Sequence, residues 1–218
     1  MNELFPILAV ETSGELCSVA LLLDEKNFVE LNYFQKQIHS KKLIDMIDTV
    51  IKISGTELCS IKSLAVSMGP GSFTGLRIGL STVKGIAFGA NLGIVPVPTF
   101  DAFALQTGKH LADKTIFTIA ISANIEELYF ARFIKKNNQI EVVDELRLIE
   151  KKELENLVDT GEVIFGNIAL PENVDRVSSP TAKAIGEWAY LFGKDLLTYD
   201  RDYLEPNYFK KFIVKDRR

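Results

Sequence analysis

Cysteine and histidine are scarce in this chain. Its 218 residues include two cysteines, Cys17 and Cys59, and two histidines, His39 and His110. Two cysteines do not make a disulfide framework, which predicts a reducing, cytoplasmic setting with both thiols buried as small side chains. Neither histidine has a second ligand at a helical or hairpin offset. We therefore expect no metal site in this chain.

Long apolar runs and positive charge are also lacking. No apolar run approaches the roughly 20 residues that span a bilayer, and residues 1–4 lack the basic start of a secretory signal. We therefore expect no membrane association. A formal net charge of −4 argues against a broad nucleic-acid surface. The exception is the basic tail, residues 210–218, which fits either a solvated terminus or a segment that touches RNA.

A glycine-rich stretch occupies residues 69–79 and reads Gly-Pro-Gly-Ser-Phe-Thr-Gly-Leu-Arg-Ile-Gly. It does not fit the phosphate-loop pattern, because Leu76 and Arg77 follow Gly75 where Lys and Ser or Thr are required. Its glycines do not match the dinucleotide-binding fingerprint either. The stretch predicts a tight turn capped by Ser72 or Thr74, which begins a helix over residues 73–90.

The predicted helix over residues 73–90 has two stripes. The apolar stripe consists of Leu76, Leu80, Val83 and Ala87, and the small-residue stripe consists of Gly75, Gly79, Thr82, Gly85 and Gly89. A glycine inside a helix costs about 1 kcal/mol relative to alanine, so repeated glycines suggest that something packs very close. The neighbour is either an element of the same chain or another subunit.

The first predicted strand ends in an acid-hydroxyl turn, Glu11, Thr12 and Ser13. Such a turn can face a phosphate and its Mg²⁺, or it can be a plain turn with local side-chain capping. The next helix is predicted to follow Ser40 as N-cap. Its apolar face is predicted from the helical spacing of Leu43, Ile44, Ile47, Val50 and Ile51.

The order of predicted elements repeats. Hydrophobic patterning predicts strands over 5–10, 17–23, 28–34, 64–68, 93–98, 115–121, 127–134, 140–149 and 163–167, and helices after 40 and over 73–90, 101–110, 151–158 and 180–192. A cap is also predicted at Thr99. The pattern indicates an α/β protein with two β-β-β-α-β-α lobes, residues 1–110 and 111–218. This duplicated order, with its acid-hydroxyl turn, resembles the actin, sugar-kinase and heat-shock ATPase superfamily.

Three stretches narrow the resemblance. They are His39-Ser40-x-x-Leu43, the run from Met68 through Gly79, and Glu205-Pro206-x-Tyr208-x-Lys210. Together they resemble the TsaB (YeaZ) family of bacterial tRNA threonylcarbamoyladenosine biosynthesis. The resemblance implies a non-catalytic scaffold that pairs with a TsaD-type catalytic subunit and supports recruitment of a TsaE-type ATPase. It further implies tRNA contact only through the complex, no cofactor held by this chain, and ATP or ADP at the complex interface.

The resemblance places the partner interface on the first two long helices of the first lobe. The implied contact residues are His39, Ser40, Leu43, Ile47, Gly71, Phe73, Thr74, Gly75, Arg77, Ile78, Gly79, Thr82, Gly85 and Gly89. Without its partner, this face is expected to drive self-association. Glu11, Thr12 and Ser13 are then a vestigial nucleotide site.

Some positions depart from the family's usual pattern. Glu11 stands where the family usually has Asp, and residues 122–124 read Ser-Ala-Asn where Asp-Ala-Arg is usual. The TsaD histidine pair has no counterpart in residues 99–104. Two alternatives stay open from the sequence. One is a nucleotide hydrolase or kinase using residues 11–13, and the other is a peptidase, which needs a metal or a nucleophile–base pair.

Overall fold

The computed structural model describes residues 3–137, 139–168 and 177–207, which form a mixed α/β fold. The described strands are β1 (Ile7–Glu11), β2 (Leu16–Leu22), β3 (Phe28–Phe34), β4 (Ser63–Ser67), β5 (Gly93–Val97), β6 (Ile116–Ser122), β7 (Glu127–Lys136), β8 (Gln139–Glu150) and β9 (Val163–Phe165). The described helices are α1 (His39–Ser54), α2 (Phe73–Ala90), α3 (Thr99–Gly108), α4 (Leu154–Leu157) and α5 (Ala182–Phe192). The predicted order of elements is confirmed.

The first sheet has the strand order β3-β2-β1-β4-β5. Strands β1 to β3 form an antiparallel meander, whereas β1, β4 and β5 run parallel. Every residue of β1 and β4 is buried, which explains why these strands read as apolar runs rather than as alternating patterns. Helices α1 and α2 cover one face of this sheet, and α5 covers the other.

Helix α1 differs from its prediction at its start and on one face. It begins at His39 after Ile38, and Ser40 lies inside the helix without a capping bond, so the predicted N-cap is wrong. Leu43 and Ile47 pack in the core, but Ile44 is 60% exposed. The true buried face includes Met46 instead, because the sheet contacts positions i, i+3, i+4 and i+7 from Leu43.

The second sheet has the order β8-β7-β6-β9. The helix predicted over residues 151–158 is reduced to a 3₁₀ turn, Lys151–Glu153, followed by the single turn of α4. A capping box between Glu150 and Glu153 starts this segment. Leu154 is its one buried residue, so too little apolar surface is available to extend the helix.

Each half contributes its last helix to a core shared with the other half. Trp188 and the rest of α5 pack against the first sheet, where Gly186 lies so close to Leu22 that a Cβ would fall 2.5 Å from its side chain. In the opposite sense, Phe100 and Phe103 of α3 pack with Phe117 of the second sheet. In the sequence, the strands of the first sheet come before residue 110 and those of the second sheet come after residue 111. Each sheet nevertheless packs against a helix from the other half of the chain.

A strap, residues 193–207, follows α5 along the first sheet. Ile94 and Thr198 exchange two backbone hydrogen bonds of 2.9 Å, so the strap pairs with the outer edge of β5. The strap ends where the Asn207 N–H donates to the carbonyl oxygen of Met68 at 2.8 Å. Glu205 and Pro206 of the third motif belong to the strap, whereas Tyr208, Lys210 and the basic tail lie outside the described residues.

The two cysteines differ in exposure. Cys17 is buried but Cys59 is exposed, so the prediction that both thiols are buried is wrong for Cys59. Cys59 lies in a short 3₁₀ turn that buries none of its residues. Within the described ranges, each helix is too short or too polar to span a bilayer.

Candidate functional site

A cleft of about 890 Å³ lies between the two sheets. The turn after β1 and the loop after β6 line it from opposite sides, and the start of α1 and the first turns of α2 complete it. Asn207 brings the end of the strap to the same cleft. The structure therefore brings together the acid-hydroxyl turn, the glycine-rich stretch and the Ser122–Asn124 loop, which are far apart in the sequence.

The acid-hydroxyl turn is fastened to the start of α2. The Thr12 hydroxyl donates to the Gly75 carbonyl oxygen at 2.9 Å, and the Ser72 N–H donates to the Ser13 carbonyl oxygen at 2.7 Å. The glycines permit this contact, since a Cβ at Gly75 would lie 2.1 Å from the Thr12 carbonyl oxygen. At Gly79 it would lie 2.2 Å from Thr12 Oγ1. The first part of the small-residue stripe thus packs against the same chain.

Glu11 lies beneath the turn rather than in the cleft. Its side chain is fully buried, its Oε1 accepts a hydrogen bond from the Ser13 N–H, and it does not line the cleft. Within the described part of the chain, neither Glu11 Oε2 nor the nearby Ser67 Oγ has a partner in normal hydrogen-bond geometry. Burial raises the pKa of the Glu11 carboxyl to about 7, against the lowering influence of Ser13 and Ser67. A buried carboxyl with this raised pKa is poorly suited to holding a cation on the cleft side.

The glycine-rich stretch begins with a turn that requires glycine at Gly69. Its φ is +99°, and a Cβ there would lie 2.9 Å from the Leu76 side chain. Ser72 is the N-cap of α2 and accepts from the Gly75 N–H at 3.2 Å, which confirms the predicted cap. Thr99 is not a cap, because its Oγ1 accepts from the Gly69 N–H at 2.9 Å. It anchors the turn instead.

The predicted partner-interface residues divide by exposure. Five are buried inside the chain: His39, Leu43, Ile47, Gly75 and Gly79. Core packing or the Thr12 contact already occupies these five, so they offer little surface to a partner. Gly71, Ile78 and Thr82 are half-buried, and the exposed members are Ser40, Phe73, Thr74, Arg77, Gly85 and Gly89.

The exposed members of α2 form its outer face, which we define as Phe73, Thr74, Arg77, Ser81, Gly85, Phe88 and Gly89. Among the described residues, nothing outside the adjoining backbone of α2 lies within 4 Å of a Cβ placed at Gly85 or Gly89, so these glycines face open space. The Arg77 guanidinium lies 4.1 Å from the centroid of the Phe73 ring. Phe88 is 80% exposed and was not predicted from the sequence. The sequence did contain a signal for this exposure, because the helical position of Phe88 lies outside the apolar stripe.

Asn124 and His39, two further polar residues of the cleft, have partners within the chain. The Asn124 side-chain oxygen accepts from the N–H groups of Glu126 and Glu127, both at 2.8 Å, which makes the loop after β6 a self-contained turn. His39 Nε2 lies 3.3 Å from the Leu16 carbonyl oxygen, and burial lowers its pKa. Among the described residues, no three His, Cys, Asp or Glu side chains lie together as metal ligands would.

Comparison with known proteins gives consistent results. The family profile described as TsaD, tRNA N6-adenosine threonylcarbamoyltransferase, matches residues 34–184. Two curated relatives are both named tRNA threonylcarbamoyladenosine biosynthesis protein TsaB. The one from Haemophilus influenzae is 37% identical over 60% of this chain and 54% of its own length. The one from Escherichia coli is 34% identical over 68% of this chain and 63% of its own length.

The fold is supported by a solved structure, YeaZ from Pseudomonas aeruginosa. It superposes with a TM-score of 0.72 at 20% identity and covers 93% of this chain and 98% of its own. The fold is thus the duplicated actin, sugar-kinase and heat-shock ATPase type. This chain spans 54% of the length of the Haemophilus influenzae relative and 63% of the length of the Escherichia coli relative. Since the TsaD profile covers more than half of the chain, the chain belongs to that family, and within it to the TsaB (YeaZ) group.

Proposed function

We propose that this chain is a non-catalytic assembly subunit in the biosynthesis of threonylcarbamoyladenosine in tRNA. It binds a TsaD-type catalytic subunit in the cytoplasm and supports recruitment of a TsaE-type ATPase. The biosynthesis name of the two relatives supports the pathway. The non-catalytic role is supported by the hydrogen bonds that the acid-hydroxyl turn makes within this chain.

The observation that carries the non-catalytic role is that three donors around this turn already have acceptors in the chain. A phosphate site at a turn and helix start needs free N–H and hydroxyl groups. Here the Thr12 hydroxyl bonds Gly75, the Ser13 N–H bonds Glu11 and the Ser72 N–H bonds Ser13. A hydrolase or kinase using this turn would have to break these contacts, so we favour a rigid scaffold.

We propose that the TsaD-type catalytic subunit binds to the outer face of α2 and also contacts the exposed Ser40 on α1. Gly85 and Gly89 leave room for a partner helix to approach closely. Phe88 and the stacked pair of Phe73 and Arg77 supply the aromatic and arginine side chains that are enriched among energetically important interface residues.

Nucleotide and tRNA are assigned to the assembled complex. We place ATP or ADP at the boundary with the catalytic subunit, because the turn in this chain is closed by its own contacts. The formal net charge of −4 supports tRNA contact through the complex rather than through this chain alone.

Capture of the TsaD-type subunit tests the partner assignment. Gly85→Leu and Phe88→Ser each change the outer face of α2 and are expected to abolish capture by the immobilised chain. Ile125→Ser is the matched control, because Ile125 is 92% exposed in the turn between β6 and β7 and lies outside the outer face of α2. It should capture as the wild type does, with all circular dichroism spectra unchanged. Normal capture by both α2 variants would contradict the assignment.

A further inference from the structure

The strap ends in the wall of the cleft between the two sheets. Asn207 lines that cleft and donates its N–H to the Met68 carbonyl oxygen at 2.8 Å. A Cβ at Gly69 would lie 3.2 Å from the Asn207 carbonyl oxygen, so Asn207 packs against the turn that precedes α2. Consecutive Cα atoms are about 3.8 Å apart. Residues 208–218, which we call the post-strap segment, are therefore tethered at the cleft.

The post-strap segment combines apolar and basic side chains. Its large apolar residues are Tyr208, Phe209, Phe212, Ile213 and Val214. Its basic residues are Lys210, Lys211, Lys215, Arg217 and Arg218, against the single acid Asp216. Eleven residues can reach at most about 36 Å from their tether. A segment of this composition is complementary to an apolar surface that lies beside acidic groups.

The cleft supplies the apolar surface. Its large or aliphatic lining residues are Phe73, Leu76 and Ile78 from α2 and Ile121, Ala123 and Tyr129 from the second sheet and its loop. Phe73 is 36% exposed, so part of this lining is open to water. The volume of about 890 Å³ is in the range of sites that bury a drug-sized molecule. The cleft therefore has room for several side chains, and their entry would remove apolar surface from water.

Acidic groups lie beside this apolar surface. A groove of about 510 Å³ adjoins the cleft at Asn124, which lines both, and Glu126, Glu127 and Glu150 line the groove. Glu126 and Glu150 are exposed, and Glu150 pairs with Lys152 at 2.7 Å. Three carboxylates along one groove favour a cationic neighbour. We call this surface the acidic groove.

We propose that the post-strap segment binds back into the cleft of its own chain. Its aromatic and aliphatic side chains pack on the apolar lining, and its lysines and arginines lie near the acidic groove. The sequence alone leaves a solvated terminus or RNA contact for residues 210–218, and binding in the cleft is an alternative to both. The tether at Asn207 keeps the local concentration of the segment high. The proposal does not depend on the proposed role in tRNA modification.

A photo-cross-linker placed in the segment tests this proposal on the full chain. Phe212→p-benzoylphenylalanine keeps an aromatic side chain, and illumination joins it to the residues that it contacts. We expect cross-links to peptides that contain residues 73–78 or 121–129. The same replacement at Phe88, which is 80% exposed on α2, is the matched control and should give neither product. Mixing isotope-labelled with unlabelled chains shows by mass whether a cross-link lies within one chain.

Charge reversal tests the contact with the acidic groove. Glu126→Lys should lower the yield of the residue-212 cross-link about two- to fivefold at low ionic strength. Glu141→Lys is the matched control, because Glu141 is also exposed but pairs with Ile134, whereas Glu127 pairs with Glu150 near the other end of β8. It should leave the yield unchanged, and circular dichroism checks that both variants fold.

The proposal is wrong if residue 212 gives no cross-link, since the segment would then be solvated. It is also wrong if residue 212 cross-links only to a second chain or only to peptides outside the cleft. Equal yields for Glu126→Lys and Glu141→Lys would contradict the placement of the basic residues near the acidic groove.

Discussion

Thr12 and Gly75 hold the first turn against the start of α2. The Thr12 hydroxyl donates to the Gly75 carbonyl oxygen at 2.9 Å, and a Cβ at Gly75 would lie 2.1 Å from the Thr12 carbonyl oxygen. Only a residue without a side chain permits so close an approach of the two backbones. The glycine therefore lets the turn after β1 pack directly against the start of α2.

Gly75→Ala is expected to destabilise the fold. The added methyl group meets backbone rather than a movable side chain, so we expect a loss of about 1–3 kcal/mol in the free energy of unfolding. Gly85→Ala is the matched control in the same helix, where the methyl group meets open space. It should stabilise by up to about 1 kcal/mol through helix propensity. Urea denaturation measures both. Equal changes in the free energy of unfolding for the two variants would show that the close contact between Gly75 and Thr12 does not determine the cost of the substitution.

Glu11 is expected to make stability depend on pH. Its pKa rises from an ordinary 4.5 to about 7 on folding, so the folded state binds the proton more tightly than the unfolded state. The free energy of unfolding then falls as pH rises from about 4.5 to about 7 and levels off above that. The shift corresponds to about 3 kcal/mol.

Glu11→Gln isolates this contribution. The free energy of unfolding of the variant, relative to that of the wild type, should increase as the pH rises. The difference between the two proteins should change by about 3 kcal/mol between about pH 4 and pH 8. Denaturation curves at several pH values give this difference directly. Parallel pH profiles for the two proteins would contradict a raised pKa at Glu11.

Arg132 and Glu162 form the ion pair that ties β7 to the loop before β9. Their side chains are 14% and 2% exposed, and Glu162 also accepts from the Thr118 hydroxyl at 2.5 Å. Glu162→Ala leaves the guanidinium without its buried partner and should cost about 3–5 kcal/mol. Asp159→Ala removes a partner that is 80% exposed and should cost less than about 1 kcal/mol. Similar losses, measured by denaturation, would count against a buried pair.

The element order was predictable because it depends on local patterning. Helix α2 was predicted over residues 73–90 and observed over the same residues, since Ser72 caps its start and Asn91 takes the left-handed conformation at its end. The meander β1 to β3 followed from short apolar strands and polar turns. Most other boundaries shifted by one or two residues, because competing ends have similar energies.

The burial of the individual site residues was not predictable, because long-range contacts determine it. The glycines of α2 look alike in sequence, but Gly75 faces Thr12 whereas Gly85 faces open space. Their difference arises from the position of the turn after β1, which lies 63 residues before Gly75. In the same way, nothing local to α5 shows that it packs on the first sheet.

Nucleotide turnover separates the scaffold from the hydrolase or kinase alternative. The closed turn predicts no ATP hydrolysis above background by the purified chain, measured as phosphate release. Glu11→Gln should leave that background unchanged, because Glu11 lies beneath the turn and outside the cleft. Hydrolysis that disappears in Glu11→Gln would instead establish a working nucleotide site.

The most direct test of the proposed function is reconstitution of the modification. The TsaD-type and TsaE-type proteins of the same organism are incubated with tRNA, ATP and the threonylcarbamoyl donor, with and without this chain, and the modified nucleoside is quantified. We predict efficient formation only when this chain is present, and loss of the stimulation with Phe88→Ser but not with Ile125→Ser. Equal formation in the absence of this chain would contradict its role as the assembly subunit.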